Sequence, residues 1–471
     1  MKKRMTTDLC IIGGGSGGLS VAAGAAQMGA RVVLVEGGRM GGDCLNYGCV
    51  PSKALIAAAR QAHQMTTGQP FGITPVEPEI DFAAVKAHVA SVIEGIAPND
   101  SVERFRGLGV EVIEEYGRFV SPTELQAGDT LISARRFVIA SGSSPFVPPI
   151  PGLEKVPYDT NETIFANTDK PDHLIIIGGG PIGMELAQAH RRLKCKVTVL
   201  EGMLALGKDD AELTAIALAR IRGEGVNIVE GAMAERISGK KGAIAVHTKD
   251  GTTWRGSHLL IAVGRKPNIE RLNLDVAGVE HHRAGIKVDA GLKTTNRRVY
   301  AIGDVAGGLQ FTHMAAYQAG IVIRSALFGL PSRATTAHIP WATYTDPELA
   351  QVGLTEAEAR KIHGERLEVV RYDYAENDRA RAERNTDGLV KLMLVKGRPV
   401  GASIIGGQAG ELITLWSLAI ASKLKVGAVA GMVAPYPTLS ELNKRAAGAY
   451  FTPRLFHNPW VKRLVRLVQK F

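Results

Sequence analysis

Short apolar runs closed by glycine clusters alternate along this chain with stretches of helical periodicity. That is the pattern of parallel strands joined by crossover helices. Leu9–Ile12 reads as a strand, Gly13, Gly15 and Gly18 form G-x-G-x-x-G, Leu19–Met28 is an Ala-rich helix, and Arg31–Val35 is a second strand closed by Glu36. The plan then returns. Leu174–Ile177 is a strand, Gly178, Gly180 and Gly183 repeat the glycine spacing, Met184–Leu193 is a helix, and Lys196–Leu200 is a strand closed by Glu201. In both copies the acid lies 23 positions after the first glycine. Pro51 suits the opening of a helix that continues through Ala54–Arg60, and the Pro-rich stretch 145–152 and residues 265–268 read as crossings between units.

Composition narrows the class. The 471 residues are 45% hydrophobic and 22% charged, which excludes a disordered or fibrous chain, and the 54 glycines have no collagen period. No apolar run reaches the ~18 residues of a membrane-spanning helix. The basic start, Met1–Arg4, leads into a short strand and then glycines, so no secretion signal is expected and a cytoplasmic location is. A formal net charge of +10 favours anionic partners, but no nucleic-acid-binding signature accompanies it, so no nucleic acid is expected.

The glycine motifs carry the first chemistry. The first glycine permits a tight turn, the second lets a pyrophosphate approach the helix N-terminus, and the third lets helix and strand pack closely. The terminal carboxylate accepts from ribose hydroxyls. Two such units imply two dinucleotides, and electron transfer between them. Glu201 repels a 2′-phosphate, and Gly202, Met203 and Leu204 offer no arginine to hold one, so NADH is expected over NADPH.

The cysteines carry the second. Cys10 and Cys195 lie in or beside apolar strand segments and read as core thiols, whereas Cys44 and Cys49 stand in Gly41–Lys53, beside the start of a helix. Five residues apart, they can pair only if the turn between them is distorted, which Asn46 and Gly48 make feasible. Two buried thiols or half a metal site are the alternatives. No further Cys or His cluster has ligand spacing, so no metal site is expected.

With these motifs the chain resembles the flavin-dependent pyridine nucleotide–disulfide oxidoreductases, the family of lipoamide dehydrogenase, glutathione reductase and mercuric reductase. Segments 139–142, 261–268, 300–304, 344–353 and 437–441 extend the resemblance over nearly the whole chain. It implies an α/β fold with two Rossmann-like dinucleotide-binding domains and an α+β dimerisation domain. The FAD-binding domain would take 1–150 and 269–336, the NAD(P)-binding domain 151–268, the dimerisation domain 337–456, and a tail 457–471. By the same resemblance Gly13, Gly15, Gly18, Glu36, Gly117 and Asp304 would hold FAD, and Gly178, Gly180, Gly183, Glu201 and Gly264 the nicotinamide dinucleotide. Cys44 and Cys49 would form the redox-active disulfide, with Cys49 against the flavin and Cys44 toward substrate. Lys53 would pair with Glu185 near the flavin, and Glu441 would reach the partner's disulfide in a homodimer.

One position departs from the pattern. Most disulfide-reducing members carry a histidine acid–base where this chain has Tyr436. A phenol, with a pKa near ~10, is a poor proton shuttle at neutral pH. Mercuric reductases resemble this chain there, since a metal ion released from thiolates needs no leaving-group proton. Yet no cysteine follows Cys195, so their C-terminal delivery pair has no counterpart. The acceptor is thus expected to be a metal ion or a disulfide. Dihydrolipoamide dehydrogenase is the enzyme alternative, and a flavin redox sensor or membrane-docked electron donor the alternative of another class.

The tail adds a partner question. Trp460, Val461, Leu464, Leu467, Val468 and Phe471 recur at helical spacing, and Lys462, Arg463, Arg466 and Lys470 take the other side. Such a helix suits the anionic inner face of a membrane, a partner groove, or packing on its own chain.

Overall fold

The structure is a computed structural model and describes residues 3–471. Its first layer is a seven-stranded sheet in which β1 (Lys3–Ile12) lies between β2 (Val32–Val35) and the long strand Thr130–Ile139, parallel to both. β1 is longer than the apolar run because it pairs along the length of that ten-residue partner, and Thr7 and Asp8 in its polar first half are also tied to Arg31. β1 and β2 are buried along their apolar residues, as strands covered on both faces require.

Strand Val299–Ala301 joins the same sheet against Phe137–Ile139, so the chain returns to it after the second unit. That unit has its own parallel sheet, in the order Asn227–Glu230, Lys196–Glu201, His173–Ile177, His258–Ile261. The two crossings are hydrogen-bonded to each other: Ser143–Pro145 runs antiparallel to Arg265–Pro267. Residues 340–406 build a five-stranded antiparallel sheet, on which helix Ala409–Ala421 packs through the buried Trp416.

Two helix starts are earlier than the periodicity predicts. α1 spans Ser16–Gln27 and the second unit's helix spans Pro181–Arg192, because the last glycines of each motif already lie in the first helical turn. The redox segment holds two helices, α2 (Gly42–Asn46) and α3 (Cys49–Thr66), so the helix expected from Pro51 begins at Cys49 itself.

Candidate active site

Both glycine turns are shaped by contacts that leave no room for a side chain. Gly13 has φ +112° and Gly178 φ +113°, in the region that favours glycine, and a Cβ there would stand 2.3 Å from the Ala140 oxygen or 2.4 Å from that of Ala262. A Cβ on Gly18 or Gly183 would collide with the oxygen of Gly13 or Gly178. The acids close each turn from below. Glu36 accepts from the N–H groups of Gly14 and Gly38, and Glu201 from those of Gly179 (2.7 Å) and Met203 (2.8 Å).

The cradle therefore fits a pyrophosphate at each helix start. Around the first, Asp304 is partly buried, which pushes its carboxyl above the ordinary range, and Ser143 Oγ donates to it at 2.5 Å. Arg265 Nε lies 3.8 Å from the same carboxylate. Gly117 is buried between Leu125 and Val35, and Gly264 (φ +131°) opens onto a cleft lined by Phe146, Arg265 and Arg283. These features fit FAD at the first cradle and a second dinucleotide at the other.

The thiol pair follows the first cradle directly. α2 ends at Tyr47 (φ −139°, ψ −4°), Gly48 takes φ −122° and ψ −108°, and α3 restarts at Cys49. This break places Cys44 and Cys49, both free thiols, close enough to shift each other's proton affinity. The distortion expected from Asn46 and Gly48 thus falls at Tyr47–Gly48, while Asn46 fastens the turn by donating to the oxygens of Met40 and Gly42.

Proton affinity divides the two sulfurs. Cys49 is pulled down to about 6, first by the hydrogen bond from Cys44, against desolvation, with help from Thr312 and the charge of Lys53. Cys44 is pushed well above the thiol range by that same hydrogen bond and by burial. Cys49 is therefore the thiolate and Cys44 the thiol at neutral pH. Cys10 and Cys195 are buried and desolvated, Cys195 pushed to about 11, as inert core thiols are.

Lys53, one helical turn beyond Cys49, meets the buried Glu185 at 2.9 Å. The second oxygen of Glu185 accepts the Tyr344 N–H at 2.9 Å, and the Lys53 ammonium lies 4.3 Å from the centre of the Tyr344 ring. Glu185 is thus fixed from two domains, and it fixes Lys53.

Tyr436 and Glu441 lie elsewhere on this chain. Tyr436 is exposed, follows the largely exposed loop after helix Val426–Ala430, and donates its Oη to Asp378 at 3.0 Å, which raises the phenol's proton affinity further. Glu441 opens helix Ser440–Ala449 with Arg445 at 4.0 Å. Neither has a hydrogen bond or ion pair to the cysteines of its own chain.

Four residues at the pair escaped the sequence reading. Thr312 Oγ1 stands 3.3 Å from Cys49 Sγ, at the start of helix Thr312–Phe328. Asp43, beside Cys44, accepts from Arg265 (3.0 Å) and Asn161 (3.0 Å), and Asn161 also donates to the Tyr47 oxygen (3.1 Å). The segments linking the two dinucleotide units thereby strap the redox turn. Asp43 stood inside the motif and was legible as a charge next to a thiol, whereas Thr312, 263 residues from Cys49, has no local signal.

Comparison with known proteins agrees with this geometry. Residues 7–319 match the pyridine nucleotide-disulphide oxidoreductase family, and residues 339–447 match its dimerisation domain. The chain is 35% identical to mercuric reductase of Bacillus cereus over 443 residues, covering 92% of this chain and 70% of that one. It is 34% identical to dihydrolipoyl dehydrogenase of Geobacillus stearothermophilus over 453 residues, covering 94% and 95%. Among solved structures, the HOCl-induced flavoprotein disulfide reductase RclA of Escherichia coli superposes with a TM-score of 0.84 at 29% identity, covering 94% of this chain and 99% of that one, and it has also been solved as a Cu(II) complex. The chain belongs to the pyridine nucleotide-disulphide oxidoreductase family, as a FAD-dependent oxidoreductase with two dinucleotide-binding units and a homodimerisation domain.

Proposed function

We propose that this enzyme uses NADH to reduce a thiol-binding metal ion, of the Hg(II) or Cu(II) class, at the Cys44–Cys49 pair. FAD, when bound, supplies a two-electron relay between nicotinamide and sulfur; Gly13, Gly15, Gly18, Glu36, Gly117 and Asp304 would hold it. Gly178, Gly180, Gly183, Glu201 and Gly264 would hold the nicotinamide dinucleotide. No ion pair to Glu201 exists among the described residues, and the adjoining Met203 and Leu204 are exposed and apolar, which supports NADH over NADPH.

The chain's own residues then do the following. Cys49, held as thiolate by Cys44, Thr312 and Lys53, offers the first soft ligand. Cys44 gives up its proton to solvent as the metal takes its sulfur. Glu185 keeps Lys53 beside Cys49, so positive charge stays where the sulfur is anionic. In the net reaction NADH and Hg(II) give NAD⁺, H⁺ and Hg(0). For copper, two Cu(II) become two Cu(I) by the same electron pair.

The observation that carries this reading is the combination of an anionic sulfur with Tyr436. A disulfide acceptor must protonate a leaving thiolate, and the phenol, hydrogen-bonded to Asp378, is poorly suited to that. A metal ion needs no such proton. The second reading, a dihydrolipoyl dehydrogenase, is favoured by the near-complete coverage of the Geobacillus relative. A cytoplasmic setting, where NADH is supplied and thiols stay reduced, suits both.

The test is an anaerobic screen of the holoenzyme with NADH against Hg(II), Cu(II), lipoamide and oxidised glutathione. The proposal expects kcat/KM for a metal ion at least ~10²-fold above either disulfide, the typical worth of the missing acid–base. Faster turnover of lipoamide than of either metal would replace it with the second reading.

A further inference from the structure

The last helix, Pro459–Val468, has no buried residue. Trp460 is 74% exposed and Leu464 61%, and Leu467, Val468 and Phe471 are exposed as well. Of the three alternatives for the tail, packing on its own chain is therefore not met. At about 100° per residue, the apolar residues from Trp460 to Phe471 fill a sector about 160° wide, and Lys462, Arg463, Arg466 and Lys470 occupy the opposite side. None of these four has a salt-bridge partner among the described residues; Arg463 lies over the Trp460 ring at 5.1 Å. By contrast Arg454, just before the helix, is paired with Glu368 of the body.

The charge around the helix has one sign. No Asp or Glu follows Glu441, while Lys444, Arg445, Arg454 and the four tail cations do. The occupant of the apolar face must therefore tolerate dense positive charge along its edge. A second copy carries the same basic tail, so pairing tail against tail would set like charges side by side. The matched dimerisation region also ends at 447, before the helix begins. An anionic bilayer surface meets both demands at once: headgroups neutralise the cations, and the acyl boundary takes tryptophan, leucine and phenylalanine. Asn458 caps the helix from its side chain and Pro459 follows, so the helix starts cleanly off the preceding turn, Thr452–Phe456.

We propose that residues 458–471 dock this enzyme peripherally on anionic lipid, the helix lying in the interface with its apolar face down. The helix is too short to cross a bilayer, and no helix among the described residues is long and apolar enough to do so. The inference stands apart from the identity of the electron acceptor, because it concerns where the dimer sits and not what it reduces.

The test uses the full-length holoenzyme in vesicle flotation, with phosphatidylcholine alone and with phosphatidylcholine containing phosphatidylglycerol. The wild type is expected to float with the anionic vesicles, to remain below with neutral ones, and to be released by salt. Two variants separate the contributions. Deletion of 458–471 abolishes flotation, and reversal of Lys462, Arg463, Arg466 and Lys470 to Glu lowers partitioning at least ~10²-fold, both with turnover of soluble acceptors unchanged. Size-exclusion of the deletion variant over a dilution series is expected to match the wild-type dimer. Equal flotation of wild type and deletion, absence of wild-type flotation at low salt, or dissociation of the deleted dimer would each overturn the proposal, the last by assigning the helix to the partner subunit.

Discussion

The two glycine turns are one design used for two purposes. The correspondence runs past the acids. Gly41 lies 28 positions after Gly13 and donates to the Gly14 oxygen at 2.9 Å; Leu206 lies 28 positions after Gly178 and donates to the Gly179 oxygen at 2.9 Å. Both take a left-handed backbone, Gly41 at φ +85° and Leu206 at +51°. Then the copies part. In the first, Gly42 follows with its Cα 3.8 Å from where a Cβ of Gly15 would stand, and the chain enters the helix that holds Cys44. In the second, a Cβ on Gly180 would meet nothing within 4 Å, and the chain passes to the Asp210-capped helix Ala211–Gly223. A covered cradle suits a group that stays; an open one suits a dinucleotide that comes and goes. The difference teaches where the redox turn comes from: it is the first unit's own continuation, laid across its cradle.

That contrast breaks most visibly at glycine. Gly13→Ala drives a methyl into the Ala140 oxygen at an already left-handed position, so retained FAD should fall at least about tenfold, read from the visible spectrum of the purified protein. Gly180→Val adds bulk where the protein has room, so the flavin should stay while KM for NADH rises at least about tenfold. Equal loss of flavin in both variants would erase the distinction between covered and open turns.

A smaller and opposite effect is expected at Tyr436. Tyr436→His restores an acid–base of suitable range, and lipoamide or glutathione reduction should gain up to ~10²-fold with metal-ion turnover little changed. No gain would mean that something other than the missing histidine limits disulfide turnover. The smallest effect is at Thr312. Thr312→Val removes a hydroxyl donor from Cys49, and the pH midpoint of its alkylation should rise by about one pH unit, the worth of one hydrogen bond to a charged group.

Much of this was legible along the chain. The glycine spacing and the acid at 23 positions follow from local rules, because a turn is decided by neighbours in sequence, whereas the Lys53–Glu185 pair, 132 residues apart, was legible only through the family resemblance. The extension of the repeat to Gly41 and Leu206 was hidden, since glycine and leucine share no pattern and only the backbone reveals their common geometry. Thr312, Asn161 and Arg265 were hidden for a different reason. Each reaches the redox turn from a distant segment, and such meetings are set by how the sheets are threaded. The tail's periodicity gave its helix, but not that it would stand clear of the body.

The central claim is that Cys49 is a thiolate beside a protonated Cys44. The direct measurement is the pH dependence of iodoacetamide alkylation of the reduced holoenzyme, with labelling sites read by mass spectrometry. Cys49 should react with a midpoint near 6, so its rate climbs through pH 5–7 and is flat above, while Cys44 stays unlabelled over that range. In Cys44→Ala the midpoint should move upward, because the group that donates to Cys49 is gone. Preferential labelling of Cys44, or a Cys49 midpoint at the ordinary ~8.5 of a free thiol, would contradict the account.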